Sequence, residues 1–197
     1  MTQTNTWPAL ALLTLRDPGE AAGIILSTRL PRQALWIAVA LISVANTILS
    51  YASHLLLPVP EPLASIVTSP FGYFTLVAGG FVVMVHALYW TGRMLGGSDD
   101  MGDLLQLLIW LQVLRTAAQG VIIVMLLLAP AIATLFLLFV GIATLWIFLN
   151  FLNIGLKLNS IWHAVGVLVA GSAGMVLGLS LILSLIGVSA MGVPANV

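Results

Sequence analysis

The chain has 197 residues, 61% hydrophobic and only 6% charged, with six basic and six acidic side chains and no cysteine. Globular domains carry about 25% charged residues, and a water-soluble core of this size cannot hide so much apolar surface, so lipid is the solvent that fits. The zero net charge excludes an overall field that would draw in nucleic acid, and the missing thiols exclude disulfides, thiolate catalysis and cysteine-held metals.

Residues 1–16 are polar and then mildly apolar, with Trp7 suited to a membrane interface. The first charge is Arg16, and Pro8 and Pro18 interrupt the segment, so no secretory signal is expected. Asp17-Pro18-Gly19-Glu20 is a helix start: Asp17 caps, Pro18 fits the first turn and Glu20 sits three residues after the cap. A short interfacial helix is expected over 17–29, ended by Pro31. Residues 1–32 then form an N-terminal segment on the cytoplasmic side.

Five apolar runs follow, at about 33–52, 70–91, 104–128, 130–150 and 162–187, with a short tail at 188–197. Each is close to the ~20 residues that cross a ~30 Å hydrocarbon layer. The three prolines between runs one and two exclude a regular helix there. Runs three and four meet at Ala129-Pro130; unbroken they would make one helix of 47 residues and about 70 Å, so a tight helical hairpin is expected. Arg16, Arg29, Arg32, Arg93 and Lys157 all fall on one side of this threading and none on the other. The bias places the N-terminus in the cytoplasm and the C-terminus on the far side. The fold class is therefore all-α, a polytopic five-span bundle with a short N-terminal interfacial helix, and the bundle is expected to be the whole protein.

Arg115 falls near the middle of the third span, where an arginine costs roughly 2.5–3.5 kcal/mol on insertion scales. Gln112, Thr116 and Gln119 share its helix face. No Asp or Glu lies in any predicted span, so its partner must be Asn46, backbone carbonyls, a lipid phosphate or another protein. Three readings stand: packing glue inside the bundle, a lipid or protein contact, or a solute path. His86, Tyr89, Trp90 and Arg93 share a face at the cytoplasmic end of the second span. They suit an aromatic belt with a hydrogen-bonded histidine, a lipid-headgroup contact through His86 and Arg93, or a proton relay.

Asp99, Asp100 and Asp103 crowd one loop, where Asp100 as helix cap and Asp103 in the first turn explain them better than a cation site. His54 and His163 fall at opposite interfaces, and no metal or cofactor is expected. Gly166, Ala170, Gly174 and Gly178 recur every four residues in the fifth span. The ladder admits a close helix, internal or from a second protomer. No nucleophile elbow, HExxH motif or intramembrane acid pair is present, which argues against an enzyme.

The segments LTLRDPGEAA, LPRQALW and GRMLGGSDDMGDLLQLLIWLQVLR, the last followed by Gln119, resemble the bacterial Yip1 family of five-span membrane proteins, over most of the chain. The resemblance rests on Gly92-Arg93, Gly96-Gly97 and Trp110-Leu111-Gln112. Eukaryotic relatives are associated with Rab GTPases and with shaping or trafficking of early secretory membranes, and their long cytosolic N-terminal region is reduced here to about thirty residues. The resemblance implies five spans, a cytoplasmic N-terminus and a non-enzymatic scaffold role.

The expectation from sequence is thus a non-catalytic protein of the bacterial inner membrane, working as a scaffold, assembly factor or accessory subunit. Its partners are lipids and either another membrane protein or further copies of itself. The alternative is a small-solute or ion transporter or channel with a polar path along the second and third spans.

Overall fold

In the computed structural model, residues 6–54, 69–98 and 100–185 are described. The proline-containing segment 55–68, Asp99, and the end of the fifth run with the tail from 186 onward lie outside them. Among the described residues there are seven helices and no strands. Two are short, α1 (Trp7–Arg16) and α2 (Pro18–Ser27). Five are long: α3 (Arg32–His54), α4 (Pro70–Met94), α5 (Met101–Leu128), α6 (Pro130–Gly155) and α7 (Ile161–Leu185). Each of the five is long and apolar enough to cross a membrane, and the chain is a multi-pass membrane protein.

The helix ends follow from local chemistry. The Asp17 carboxylate accepts from the Glu20 N–H at 2.9 Å and opens α2. The Asp100 carboxylate accepts from the Gly102 N–H at 2.8 Å and opens α5. Such caps are each worth about 1 kcal/mol. Ala129 ends α5 and Pro130 starts α6, which is the expected hairpin.

Residues 7–16 are helical, where the sequence suggested no element. Pro8 sits in the first turn of α1, a position that proline favours. A ten-residue helix is too short to persist alone, so α1 exists by packing. It lies across α5. Trp7 stacks on Trp110 with ring centroids 5.6 Å apart, and Thr14, two turns on, accepts the Trp110 indole N–H at 3.0 Å. The N-terminal segment is therefore a helix pair docked on the bundle, with Ala21, Ala22 and Ile25 of α2 buried.

The first half of α5 is the axis of the fold. Every residue from Leu104 to Leu111 is buried, as expected of a helix enclosed on all sides. It packs against α6 and α3 along its length, against α2 at its start, and less closely against α4. α7 closes the bundle by packing on α4 and α6. Gln106 is buried because its amide N–H donates to the Ile25 carbonyl at 2.6 Å and to the Thr28 hydroxyl at 2.9 Å. The α3–α5 seam carries a second polar link, Asn46 Nδ2 donating to Thr116 Oγ1 at 2.8 Å.

The bundle is tight at the end that carries the α4–α5 and α6–α7 loops, here called the basic end. α4 and α6 both finish there in left-handed caps. Gly96 takes φ +86°, with Gly97 N–H donating to Gly92 O at 2.8 Å and Gly96 N–H to Arg93 O at 3.1 Å. Lys157 takes φ +51°, with Leu158 N–H donating to Asn153 O at 2.8 Å and Lys157 N–H to Ile154 O at 3.0 Å. This is the paired bonding of the Schellman motif at both helix ends. The two caps are tied together by Ser98 N–H donating to Leu156 O at 2.6 Å, and Lys157 meets Asp103 at 3.6 Å.

Gly96→Ala is expected to cost about 1–2 kcal/mol, the penalty for an L-residue in a left-handed conformation. Gly79→Ala and Gly80→Ala, whose new methyls meet nothing within 4 Å, are expected to be neutral or slightly stabilising. Reversible unfolding in mixed micelles measures the difference.

Candidate functional site

Toward the opposite end α6 and α7 are more exposed, while Thr47 and Ser50 of α3 and Ala133 of α6 stay buried. Beyond Gly171, all but two of the α7 positions from 172 to 178 are exposed, and most of α6 before Thr144 is exposed. Where the close-packed half gives way to the open half, the structure holds a cleft of about 430 Å³. Its walls come from α4 (Phe81, Met84), α5, α6 (from Leu137 to Phe148) and α7 (Leu168). Gln112 and Arg115 are its polar groups from α5, and Thr144 is the one from α6.

Arg115 is fifteenth of the 28 residues of α5, which puts it midway along the helix. Its side chain is exposed and runs back toward the start of α5, as helical side chains do. Nη1 donates to the Gln112 carbonyl oxygen at 3.2 Å. Among the described residues no carboxylate pairs with it. Asp103 is at the basic end with Lys157, and Asn46, one of the expected partners, is committed to Thr116 and the Ile42 carbonyl. A smaller cavity of about 160 Å³ lies on the other side of the α5–α6 seam, walled in part by Ala11 and Leu15 of α1. Arg115 and Thr144 line both cavities.

The remaining sequence candidates are distributed differently. Gln119 is half-buried and lies one turn beyond the cleft lining. His86 does not reach the cleft either; its Nδ1 pairs with the Val82 carbonyl one turn back at 2.8 Å. Arg93 is exposed at the basic end, with its guanidinium 5.8 Å from the Tyr89 ring and 5.5 Å from that of Trp90.

The glycine ladder of α7 is split. Gly166 is half-buried, and a methyl there would come 3.9 Å from Leu95. Ala170 and Gly174 are exposed, and a methyl at Gly174 or Gly178 would meet nothing within 4 Å. The close internal contact is made instead by Gly171, where an added Cβ would lie 3.2 Å from Leu88 and 3.6 Å from Thr91. Ala170 is about 200° around α7 from Leu168, so the ladder faces away from the cleft.

Sequence reasoning passed over Gln106, Trp110 and Thr144 as polar participants. Gln106 and Trp110 are four residues apart and so share a face. That spacing was a signal that α5 receives two partners at once, but the partners are 81 and 96 residues distant in the chain.

The Yip1 domain model matches residues 12–185, from the second half of α1 to the end of α7. No curated protein and no solved structure gives a significant match.

Proposed function

The chain belongs to the Yip1 domain family, and from that premise we propose a non-catalytic scaffold, assembly factor or accessory subunit of the bacterial inner membrane. It acts through contacts made inside the lipid, by two separate surfaces: the Arg115–Gln112 cleft for lipid and the exposed α7 ladder for a helix of another membrane protein or a second copy. The observation that carries this reading is the open half of the bundle. It presents a mid-span arginine with no carboxylate among the described residues and a small-residue stretch of α7 where a methyl at Gly174 or Gly178 would meet nothing within 4 Å.

Leaving Arg115 without a partner in hydrocarbon would cost several kcal/mol, and outside contacts remove that cost. The five basic residues at one end support a cytoplasmic N-terminus and a C-terminus on the far side. A reporter fused after Val197 is the check on that orientation. A transport path would need polar groups beyond the cleft, and the adjoining Leu104–Leu111 wall is buried and, apart from Gln106, apolar.

Purification in mild detergent tests the reading: protein or tightly held lipid is expected to come with the chain, and a lone, lipid-free monomer would sink it. Gly174→Leu adds bulk into open space, so the helix content and unfolding temperature are expected to stay unchanged. The amount of associated protein is expected to fall by tenfold or more, because bulk at a small-residue face keeps helices apart.

A further inference from the structure

We infer that the Arg115 cleft is a binding site for a single-chain amphiphile with a carboxylate head, the chemistry of a long-chain fatty acid. The inference deepens the lipid half of the reading above and rests on it. It does not depend on the α7 contact.

The size of the cleft selects the occupant. Along α6 the lining runs from Leu137 to Phe148, eleven residue steps or about 16 Å. The volume of about 430 Å³ is below that of a helix of the same length, which is about 10–12 Å wide with its side chains. A hydrocarbon chain fits within such a groove, whereas a helix lies over it. The wall facing that chain is apolar: Phe81, Met84, Leu108, Leu137 and Phe148.

The polar groups select the head. Gln112 lies eleven residues from the start of α5 and Thr144 eleven from the end of α6, so both are about 16 Å from the basic end. The hydrogen bond to Gln112 draws the Arg115 guanidinium back to the same level. A guanidinium has donors only. The Gln112 carbonyl oxygen already accepts from it, which leaves the amide N–H groups to donate, and a threonine hydroxyl can donate as well. These groups ask for an acceptor with negative charge.

The depth then favours carboxylate over phosphate. A carboxylic acid reaches that level uncharged, while a phosphate ester carries its charge through hydrocarbon. Beside the guanidinium the acid loses its proton to water, because a nearby cation favours the ionised form.

The test is titration of carboxyl-labelled oleate into the protein held in nanodiscs of zwitterionic lipid, followed by carbon NMR. One bound, ionised carboxylate per chain is expected, with a resonance distinct from oleate in the bilayer. Arg115→Leu is expected to weaken binding at least tenfold and Arg115→Lys to weaken it less, since lysine keeps the charge without the bidentate fork. Gly141→Leu, at a lining position where a new Cβ meets nothing within 4 Å, is expected to fold normally and to block the groove.

Equal affinity in Arg115→Leu would overturn the proposal, as would binding of methyl oleate as tight as that of oleate. Stronger binding of a single-chain phosphate would overturn the choice of head. Displacement of oleate by an apolar transmembrane peptide with one mid-span Asp, at lower concentration than oleate itself requires, would assign Arg115 to a partner helix instead. Loss of co-purifying protein in Gly174→Leu leaves this site intact, and failure of oleate to bind leaves the α7 contact intact.

Discussion

Trp110→Ala is expected to lower the stability of the bundle by about 3–5 kcal/mol, the range for removing a buried aromatic ring, and to release α1, the first of the N-terminal helix pair. Trp110 is only 7% exposed and has two roles that no smaller residue combines. Its ring is the platform for Trp7, and its indole N–H satisfies Thr14, whose own hydroxyl donates to Leu10 O at 2.8 Å. Without the ring, α1 loses its main contact with α5, and a ten-residue helix cannot hold its shape alone.

Trp110→Phe separates the two roles. It keeps an aromatic platform and removes the N–H, so it is expected to cost only about 1 kcal/mol, the net worth of one hydrogen bond. Unfolding in mixed micelles measures both variants, and trypsin cleavage at Arg16, the last residue of α1, reports its release. If the alanine variant unfolds like the parent and resists trypsin equally, α1 is not held by Trp110.

The same pair of helices shows where the sequence was readable and where it was not. Span length, the Pro130 hairpin and the Asp17 and Asp100 caps were legible, because each is decided within about twenty neighbouring residues. The lipid setting was legible because so few charges are present. α1 was not, because it is held by packing on other helices, with Trp110, about a hundred residues away, among its partners. The midway position of Arg115 was readable from counting, but its pairing with Gln112 rather than Asn46 was not, since Thr116 competes for the same asparagine. The α7 ladder was readable as a pattern, yet the pattern did not say which small residue is used internally. Gly171, outside the ladder, meets Leu88 because α4 crosses α7 on that face. Depth, charge and period are local properties; the choice among equally small or equally polar neighbours is made by another helix.

Gly97→Ala is the second large effect expected, and it concerns the close-packed end from which the cleft diverges. A methyl at Gly97 would lie 2.8 Å from the Gly92 carbonyl oxygen and 3.0 Å from that of Leu156. Both are main-chain atoms, so neither can swing aside as a side chain would. The glycine is required by close approach, unlike its neighbour Gly96, which is required by its positive φ. Pushing the caps apart costs about 1–3 kcal/mol in overpacking. It also endangers the Gly97–Gly92 and Ser98–Leu156 hydrogen bonds, each worth about 0.5–1.5 kcal/mol. A loss of roughly 3 kcal/mol is therefore expected, larger than for Gly96→Ala.

The consequence reaches the cleft. The link from Ser98 to Leu156 fixes the end of α4 against the end of α6, and Gly92 lies where a methyl would strike Leu156 at 2.5 Å. With the clasp broken, the spacing of α4 and α7 from α5 and α6 is no longer set at the basic end. Oleate binding in Gly97→Ala is then expected to weaken although no residue of the cleft has changed, and trypsin is expected to cut faster at Arg93 and Lys157, which flank the clasp. Unchanged cleavage at both sites, together with parental stability, would show that the two loops do not brace the bundle.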